Sequence, residues 1–258
     1  MPRSQEYCVP DKLYGGVLVK AASILDVLAD DDVATITEIS RTTGISQSTV
    51  SKITATLESI GFVQRDEEKK TITLGTGFLR YARAATGTRR LVLIAEPHLV
   101  MLNRAIDETI HLGVVAGDKI VYADKIDPQH KYIYMTSQIG AERALYCTAM
   151  GKAVLATYSP QDLDRYIART ELRRFTANTI TDPDELRRAV EQARINGYGV
   201  DDEEQESEGY CVGTALMRDG RLYGAISASF PKYRLTEEYQ EKILRELFVA
   251  KARIEAEL

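Results

Sequence analysis

The chain has 258 residues, of which 44% are hydrophobic and 28% charged, and its formal net charge is −5. This composition indicates a soluble globular protein of one large or two modest domains, long enough to bury a hydrophobic core. No apolar run approaches the ~18 residues of a membrane span, and the N-terminus lacks a basic-then-apolar signal pattern. We therefore expect a cytoplasmic protein with no membrane partner.

Cysteine and histidine usage argues against a disulfide framework and against a metal site. The cysteines are odd in number and far apart, and none belongs to a C-x-x-C pair: Cys8, Cys147 and Cys211. The histidines are isolated, and we expect each to be a packing or surface residue rather than a ligand: His98, His111 and His130. The sequence predicts no cofactor, no metal ligand and no catalytic residue.

The charge is unevenly distributed along the chain. Residues 41–90 contain nine Lys and Arg against four Asp and Glu, which gives a net charge of +5 in a chain whose total is −5. A basic segment on an otherwise acidic chain is typical of a local contact with DNA phosphates.

The N-terminal part predicts a tail followed by three helices. Residues 1–13 have little pattern and are interpreted as a tail. Apolar residues at helical spacing from Gly16 to Leu28 predict an amphipathic helix, which the run Asp30-Asp31-Asp32 ends. Two further short helices are predicted on either side of Gly44, because glycine accepts the positive φ of a sharp turn without steric cost.

Two short helices joined by a turn that contains glycine predict a helix-turn-helix. Thr37 and Ser46 are the predicted N-caps of the two helices. The second helix buries Val50, Ile53 and Leu57 at intervals of three to four residues. Its other face presents short hydrogen-bonding side chains and one cation: Gln47, Ser48, Thr49, Ser51 and Lys52. A major-groove recognition helix offers this chemistry to bases and phosphates, whereas the alternative is an ordinary αα-hairpin with a polar outer face.

A predicted β-hairpin favours the DNA-binding alternative. Gly61 follows the second helix as a C′ glycine. Phe62–Arg65 and Thr71–Leu74 then alternate as two strands around a charged turn, where a winged helix carries its wing. We therefore predict a winged helix-turn-helix domain over residues 14–76. Its predicted DNA-binding residues are Thr37, Ser46, Gln47, Ser48, Thr49, Ser51, Lys52, Arg65 and Lys69.

Residues 77–105 are predicted to be helices that link two domains. The helical stretches are Phe78 to Ala85 and Leu91 to Ala105, with an interruption at Thr86-Gly87-Thr88 and a domain boundary near Thr86–Arg90. Pro97 either bends the second helix or lies in an early turn of it. The linker carries more apolar surface than a simple connection needs, and we predict that it helps to build a homodimer. Its apolar residues include Phe78, Leu79, Leu91, Leu93, Ile94, Leu99 and Leu102.

Residues 106–258 predict hairpin-linked strands with helices gathered between them. The predicted strands are two within 109–127, around Ala116-Gly117-Asp118, and one each at 132–139, 144–147, 211–217 and 222–230. The predicted helices are 148–157, 160–169, 183–196 and 236–258, and the last two strands are joined by a turn at Arg218-Asp219-Gly220. This arrangement indicates an α+β domain around an antiparallel sheet.

Ordered motifs along nearly the whole chain resemble one known family. They are Thr37-Glu38-Ile39, Gly44–Val50, Leu57–Val63, Glu108–Leu112, Leu145–Ala153 and Gly197–Glu204. On these motifs the chain, from about Gly16 to Ile254, is similar to the IclR-type bacterial transcription regulators. The resemblance implies an N-terminal winged helix-turn-helix domain, a helical linker and a C-terminal GAF/PAS-like effector-binding domain. Ser137–Gly140, Asp201–Glu206 and Ser227–Pro231 most resemble regulators of sugar-acid catabolism, such as the 2-keto-3-deoxygluconate repressor.

Two patterns in the second domain suggest a small-molecule site. Thr148 can cap a helix whose first N–H groups belong to Ala149, Met150 and Gly151, and such a helix end binds anions, although an ordinary capped helix is the alternative. Ser227 and Ser229 lie two apart on a strand, so their hydroxyls point to the same face. The resemblance implies an effector pocket at the residues that match Thr148, Ala149, Met150, Asp201, Cys211, Ser227 and Ser229.

Some of these residues have a plainer interpretation by themselves. Cys211 at the start of a strand is more often a packed small residue than a nucleophile. Asp202 to Glu208 read as a solvated loop, in which one carboxylate accepts hydrogen bonds from ligand hydroxyls. Backbone N–H groups, hydroxyls and one acid together suit a small hydroxy- or keto-acid.

We interpret the chain as a DNA-binding transcriptional regulator, a repressor of a carbon-catabolic operon. It would bind double-stranded operator DNA as a homodimer, or as a tetramer on DNA, under the control of a small carboxylic acid such as a sugar acid. Alternatives are an effector that is an aromatic acid or a pyruvate-like acid, a sugar-acid-processing enzyme and a protein-interaction module. No phosphate loop, metal-ligand cluster or Ser/His/Asp spacing supports an enzyme.

Overall fold

In the computed structural model the described residues are 15–31, 33–66, 68–78, 81, 86–130 and 137–258. The chain divides into two compact units, Met1–Thr86 and Gly87–Leu258. The first unit has one hydrophobic core, and the second has two apolar clusters on opposite faces of a sheet. Among the described residues, no helix is long and apolar enough to cross a membrane.

The first unit consists of three helices and a small antiparallel sheet. Its helices are α1 (Gly16–Asp31), α2 (Ile36–Thr43) and α3 (Gln47–Ser59), and its strands are β1 (Ala34–Thr35), β2 (Val63–Asp66) and β3 (Thr71–Leu74). The strand order is β1-β3-β2, so the hairpin β2–β3 forms the wing. These elements confirm the predicted winged helix-turn-helix; the two-residue strand β1 has no counterpart in the prediction.

The apolar side of each helix in this unit packs into the common core. Helix α3 buries Val50, Ile53 and Leu57, the positions expected from their spacing. They meet Ile24, Val27 and Leu28 of α1, Ile39 of α2, and Val63 and Ile72 of the wing. Burying one side of α3 in this way leaves its polar side facing outward.

Thr35, not the predicted Thr37, caps helix α2. The Thr35 hydroxyl oxygen accepts a hydrogen bond from the Glu38 N–H at 3.3 Å, and the Glu38 carboxylate accepts one from the Thr35 N–H at 2.8 Å. This reciprocal capping box satisfies two backbone donors at the helix start. Thr37 lies exposed inside the first turn. Gly44 ends the helix with φ of 69°, as the turn requires.

The second unit is built on a six-stranded antiparallel sheet. Its strands are β4 (Thr109–Ala116), β5 (Lys119–Ile126), β6 (Glu142–Ala144), β7 (Gly199–Asp202), β8 (Gly209–Arg218) and β9 (Arg221–Pro231). Their order is β6-β5-β4-β9-β8-β7. Its helices are α4 (Thr86–Ile106), α5 (Ala149–Leu155), α6 (Pro160–Arg169), α7 (Pro183–Asn196) and α8 (Glu237–Glu257), with a 3-10 turn at Lys232–Arg234. This is the predicted α+β architecture around an antiparallel sheet.

Alternation along the strands divides this unit into layers. On β9, Ile226, Ala228 and Phe230 belong to a core shared with helices α4 and α8. The other face of the sheet, which carries Ser227 and Ser229, is covered by the cluster that contains α5, α6 and α7. Because successive side chains of a strand point to opposite faces, one strand supplies both layers.

Two glycines allow helix α5 to lie directly on the sheet. A Cβ on Gly213 of β8 would lie 2.8 Å from the Met150 nitrogen, and a Cβ on Gly199 of β7 would lie 2.4 Å from the Ala149 oxygen. Any larger side chain at these positions would push the first turn of α5 away. The helix therefore packs backbone to backbone against the two strands.

Several predicted bounds differ from the structure. Helix α4 begins at Thr86, so the expected interruption at Thr86–Thr88 is absent, and Pro97 lies within the helix. Its residues Leu91, Leu99 and Leu102, predicted as linker, are part of the second unit's core. The strand expected at 144–147 lies at Glu142–Ala144, and a turn follows because residues 145–147 lead into the Thr148 cap.

Two predictions fall largely outside the described residues. These are the helix from Phe78 to Ala85 and the strand at 132–139, of which residues 137–139 are described and are not strand. The helices at 160–169 and 183–196 have the predicted bounds. No strand was predicted at β7, whose last residue, Asp202, was expected to begin a solvated loop.

Candidate DNA-binding surface and ligand cavity

The outward face of α3 carries the polar side chains predicted to read DNA. Gln47, Ser48 and Lys52 are exposed, and Thr49 and Ser51 are half-buried. Ser46 is the N-cap residue by position, but its hydroxyl makes no cap hydrogen bond. It shares hydrogen bonds with the hydroxyls of Thr49 at 2.9 Å and Ser48 at 3.3 Å. The helix start therefore presents a group of linked hydroxyls beside one exposed ammonium.

Arg65 and Lys69 of the wing differ in their availability. The Arg65 guanidinium donates to the Thr54 hydroxyl at 3.2 Å and lies 3.7 Å from the Glu58 carboxylate. These contacts hold the wing against α3, and the predicted DNA contact of Arg65 stays a prediction. Lys69 at the wing's turn has a side chain that is 77% exposed, with Asp66 at 3.7 Å. Of the two, Lys69 is the one placed to reach a phosphate.

The second unit contains a partly enclosed cavity of about 380 Å³, part of which is open to solvent. Each of the six strands lines it with at least one residue: Arg143 of β6, Tyr122 of β5, His111 of β4, Ser229 of β9, Cys211 and Gly209 of β8, and Asp201 of β7. Ser137, Gln205 and Glu206 complete the lining. We call it the six-strand cavity. Because strands lie about 4.8 Å apart, β6 and β7 would be separated by about 24 Å in a flat sheet. The sheet must curl for its two edges to share one cavity.

His111 lies at the centre of this lining. Its Nε2 is 2.6 Å from the Ser137 hydroxyl, and its Nδ1 is 3.4 Å from the hydroxyls of both Ser227 and Ser229. The ring stacks on Tyr122 with centroids 4.7 Å apart. Burial, with the nearby positive charges of Lys125 and Arg143, lowers the pKa of His111 to about 3. A neutral imidazole therefore sits here, able to donate at one nitrogen and accept at the other.

One feature of the sequence around His111 could have indicated that its side chain is hydrogen-bonded inside the protein. It lies between Ile110 and Leu112 on β4 and opposite Ser227 on β9. A polar residue between apolar neighbours in a strand covered on both faces must be satisfied inside the protein. From the sequence alone we expect a packing or surface residue, because His111 is isolated there. Its partner Ser227 lies 116 residues away and could not be identified before the pairing of β4 with β9 was known.

The structure brings together three of the predicted effector residues: Asp201, Cys211 and Ser229 line the cavity. They are neighbours across the strands, since Asp201 is opposite Cys211 and Cys211 is opposite Ser229. Ser227 is not part of the lining, but its hydroxyl lies 3.4 Å from Nδ1 of His111 and helps to orient that ring. The antiparallel register thus collects into one row residues that are far apart in the sequence.

The predicted anion site at the start of α5 does not line the cavity. Thr148, Ala149, Met150 and Gly151 are buried outside it. The Gly151 N–H donates to the Thr148 hydroxyl at 3.1 Å, which is an ordinary N-cap. The close approach of β7 and β8 covers the rest of this turn. These contacts are those of a capped helix, and an anion site at this turn stays a prediction.

Residues 201–206 form one wall of the cavity and are held by hydrogen bonds, whereas Asp202 to Glu208 were predicted to be a solvated loop. An Asp201 carboxylate oxygen accepts hydrogen bonds from the N–H groups of Glu204 at 2.8 Å and Gln205 at 3.3 Å. The Thr179 hydroxyl donates to the Glu204 carbonyl at 2.7 Å. The buried Glu204 carboxylate forms an ion pair with Lys152 of α5. Burial raises the pKa of Asp201 to about 7.

Neither of the two described cysteines, the buried Cys147 and the half-buried Cys211, has the properties of a nucleophile. Burial raises the pKa of Cys147 and of Cys211 far above the ordinary thiol value, so both stay protonated. The Cys147 thiol lies 3.3 Å from the Gln205 side-chain oxygen and thereby holds the cavity wall. In the part of the chain that the structure describes, no group of His, Cys, Asp and Glu is arranged to hold a metal ion.

Comparison with known proteins assigns both units. Residues 17–67 match the family described as the IclR helix-turn-helix domain, and residues 83–255 match the family described as bacterial transcriptional regulator IclR C-terminal. The chain belongs to the IclR family of bacterial transcriptional regulators.

Relatives of this IclR-family chain match it over most of its length. The HTH-type transcriptional regulator KdgR of Escherichia coli K12 is 32% identical over 242 residues, which cover 93% of the chain and 92% of that protein. The HTH-type transcriptional regulator Rv1719 of Mycobacterium tuberculosis H37Rv is 36% identical over 218 residues, covering 83% and 81%. The crystal structure of the Thermotoga maritima IclR, 33% identical, has a TM-score of 0.78 and covers 95% of this chain and 99% of its own.

Membership in the IclR family assigns the class of function. The family and these relatives are transcriptional regulators, and the first unit is a helix-turn-helix domain. The protein is therefore a DNA-binding transcriptional regulator and not an enzyme.

Proposed function

We propose that this regulator represses an operon of carbon catabolism and that a small carboxylic acid, most simply a sugar acid, controls its affinity for the operator. The effector would bind in the six-strand cavity. The observation that carries the proposal is the polar lining of that cavity. Elsewhere on the same sheet face, Ile120, Ala225 and the helices α5–α7 form a buried apolar cluster. If this domain had only a structural role, we would expect apolar side chains to fill the six-strand cavity as well.

The chemistry of the lining suits a ligand that carries several oxygens. The hydroxyls of Ser137 and Ser229 and the neutral His111 ring offer both donors and acceptors. Asp201 has one carboxylate oxygen occupied by backbone N–H groups, which leaves the other as an acceptor for a ligand hydroxyl. Neutral hydrogen bonds contribute about 1 kcal/mol each, so selectivity would come from several of them acting together.

We propose that the outward face of α3 contacts the operator, with Ser48 and Thr49 at bases and Lys52 at a phosphate. Thr37, Ser46, Gln47, Ser51 and Lys69 would add contacts around them. Arg65 would contribute only after releasing Thr54 and Glu58. Short hydroxyl side chains at the N-terminus of a helix can approach base edges in the major groove, and a lysine adds the charge attraction.

We also propose that the protein binds DNA as a homodimer, or as a tetramer of two dimers. Leu93 and Met101 of α4 are large apolar side chains that remain 59% and 49% exposed, which supports an interface on this helix. Light scattering at micromolar concentration tests this, and a monomer that still binds operator DNA specifically would contradict it.

A ligand changes operator affinity only by preferring one arrangement of the protein over another. The experiment is a thermal-shift screen with 2-keto-3-deoxygluconate, D-gluconate, pyruvate and 4-hydroxybenzoate, followed by operator binding with each acid that raises the melting temperature. We expect a sugar acid to stabilise the protein and weaken operator binding. Stabilisation by pyruvate or 4-hydroxybenzoate alone would replace the sugar acid with that class, and no response to any of the four would overturn the proposal.

The variant Ser229→Ala tests whether the effector binds in the six-strand cavity. It removes one hydroxyl of the lining, and we expect the effector concentration for half-maximal response to rise. Ser207→Ala is the matched control, because Ser207 is an exposed serine close to the same wall. Equal responses of the two variants would place the effector elsewhere.

A further inference from the structure

We propose that Arg143 is the residue that binds the carboxylate of the effector, and that the ligand lies across the cavity with its hydroxyl-bearing end at Asp201. This inference rests on the proposed function. It moves the anion site from the start of α5 to the opposite edge strand of the sheet, β6.

The first observation is the charge of the lining. Arg143 is the one Lys or Arg among the residues that line the six-strand cavity in the described part of the chain. His111, the other basic side chain there, is neutral because burial and neighbouring positive charge lower its pKa to about 3. An anion that enters this cavity therefore finds one positive charge.

The second observation is how Arg143 is held. It is half-buried on β6, opposite Ile120 of β5. Its guanidinium carbon lies 5.9 Å from the centre of the Tyr122 ring, which is itself part of the lining. One terminal nitrogen, Nη1, donates to the Glu142 carbonyl at 3.0 Å. A guanidinium has five N–H donors, so a bond to the backbone leaves enough of its planar edge for both oxygens of a carboxylate.

The third observation is the position of the acids. Asp201 lies on β7, at the opposite edge of the sheet from Arg143. Burial raises the pKa of the Tyr122 phenol well above its ordinary value, and the negative charges of Asp201 and Glu206 act in the same direction, whereas Arg143 opposes them. Within the six-strand cavity, the positive charge of Arg143 thus lies on the β6 side and the acidic groups lie on the β7 side. A hydroxy acid is favoured with its carboxylate toward Arg143, because only that orientation places the negative charge beside the positive one and a hydroxyl beside Asp201.

The other candidate for the carboxylate, the start of α5, is less favoured by the packing. The N–H groups at the start of α5 are outside the lining, and the strands β7 and β8 cover them. The Thr148 hydroxyl already accepts a hydrogen bond from the Gly151 N–H, so one N–H group of this turn is taken by the protein itself. Arg143 is therefore the one cationic group that the described lining offers to a carboxylate.

The test compares Arg143→Gln with Arg143→Lys and with a matched control. Arg221→Gln is that control, because Arg221 also stacks on a tyrosine of this sheet, 5.1 Å from the Tyr223 ring centre, and does not line the cavity. The measurement is the dissociation constant, by titration calorimetry, of whichever of the four acids above stabilises the wild-type protein. The uncharged amide of the same acid is the second ligand.

A charge-assisted hydrogen bond contributes enough to change a dissociation constant by tenfold or more. We expect Arg143→Gln to weaken binding of the acid by about 10- to 100-fold, Arg143→Lys to weaken it less, and Arg221→Gln to leave it unchanged. In the wild-type protein the amide should bind at least about tenfold more weakly than the acid.

Each result decides between the two proposals. If the acid binds Arg143→Gln as tightly as it binds Arg221→Gln, Arg143 is not the anchor, while the proposed function stands. If the wild-type protein binds amide and acid equally, the anchor is overturned even if a variant fails to fold. If none of the four acids binds the wild-type protein, the proposed function fails and this inference fails with it.

Discussion

The ammonium of Lys152 on α5 is paired with the carboxylate of Glu204 in the interior of the second unit, where both side chains are buried. This ion pair connects helix α5 to residues 201–206, which form one wall of the six-strand cavity. The second carboxylate oxygen of Glu204 has no hydrogen-bond partner among the described residues. Burial raises the pKa of Glu204, and the charge of Lys152 opposes that effect.

Breaking this pair should strongly destabilise the second unit. Removing one partner leaves an uncompensated buried charge, which costs about 3–5 kcal/mol in free energy of unfolding. We expect Lys152→Met to show a loss of that size in urea unfolding. The double variant Lys152→Met, Glu204→Leu should recover most of it, because an apolar pair of similar volume leaves no buried charge.

Arg187→Met is the control for the Lys152 prediction. Arg187 pairs with Asp164 on the surface at 2.9 Å, and an exposed pair contributes about 1 kcal/mol or less. A loss for Lys152→Met no larger than the loss for Arg187→Met would show that the interior pair does not hold this wall.

The carboxyl of Asp201 should make stability depend on pH. Its pKa is about 7 in the folded protein and near 3.8 when unperturbed, with burial as the main cause. Between these values the folded state binds more protons than the unfolded state, so this contribution is complete below about pH 4 and is lost as pH rises to about 7. The slope is at most about −1.4 kcal/mol per pH unit.

Asp201→Asn should remove this pH dependence. The asparagine keeps a side-chain oxygen for the N–H groups of Glu204 and Gln205 but does not ionise. We expect the free energy of unfolding of the variant to fall less steeply than that of the wild-type protein between pH 4 and pH 7, measured by urea unfolding across that range. Parallel curves would mean that Asp201 is ionised throughout.

Lys52 should contribute a salt-dependent contact to the operator. A lost phosphate contact releases about one counterion fewer on binding, so the slope of log affinity against log salt should become shallower by about 0.9 in Lys52→Ala. The readout is operator binding at several salt concentrations. Lys242→Ala, which changes an exposed lysine of α8, should keep the wild-type slope; the same slope in both variants would remove Lys52 from the phosphate contacts.

Thr35 and Thr37 provide a test of the helix start in the DNA-binding unit. Thr35→Ala removes the N-cap of α2 and should cost about 1 kcal/mol in the unfolding of that unit. Thr37→Ala changes an exposed position inside the helix and should stay within about 0.5 kcal/mol. The comparison is made by thermal unfolding followed by circular dichroism, and a larger effect at Thr37 would favour the cap that the sequence predicted.

Local patterns in the sequence were sufficient for most elements and for the family. The spacing of Val50, Ile53 and Leu57 identified α3 and its outward face, because a helix repeats its environment every three to four residues. Pro183 and Gly197 identified the two ends of α7. Proline is favoured in the first turn of a helix and glycine just after its last residue, and both preferences are local. The polar residues at the start of α3 could be named as DNA-binding candidates from this local information alone.

What only the tertiary structure decided lies in contacts between distant strands. Thr35 caps α2 because it ends β1, a strand that exists only through pairing with β3. The six-strand cavity, our proposed effector site, follows from the curl and register of six strands, which place Arg143, His111 and Asp201 around one space. The hydrophobic pattern of a single strand does not show which distant strand it pairs with. The register of the pairing depends on which faces of the strands become buried together. The sequence by itself therefore determined the elements and the class of regulator, and the tertiary structure decided which polar side chains face one another.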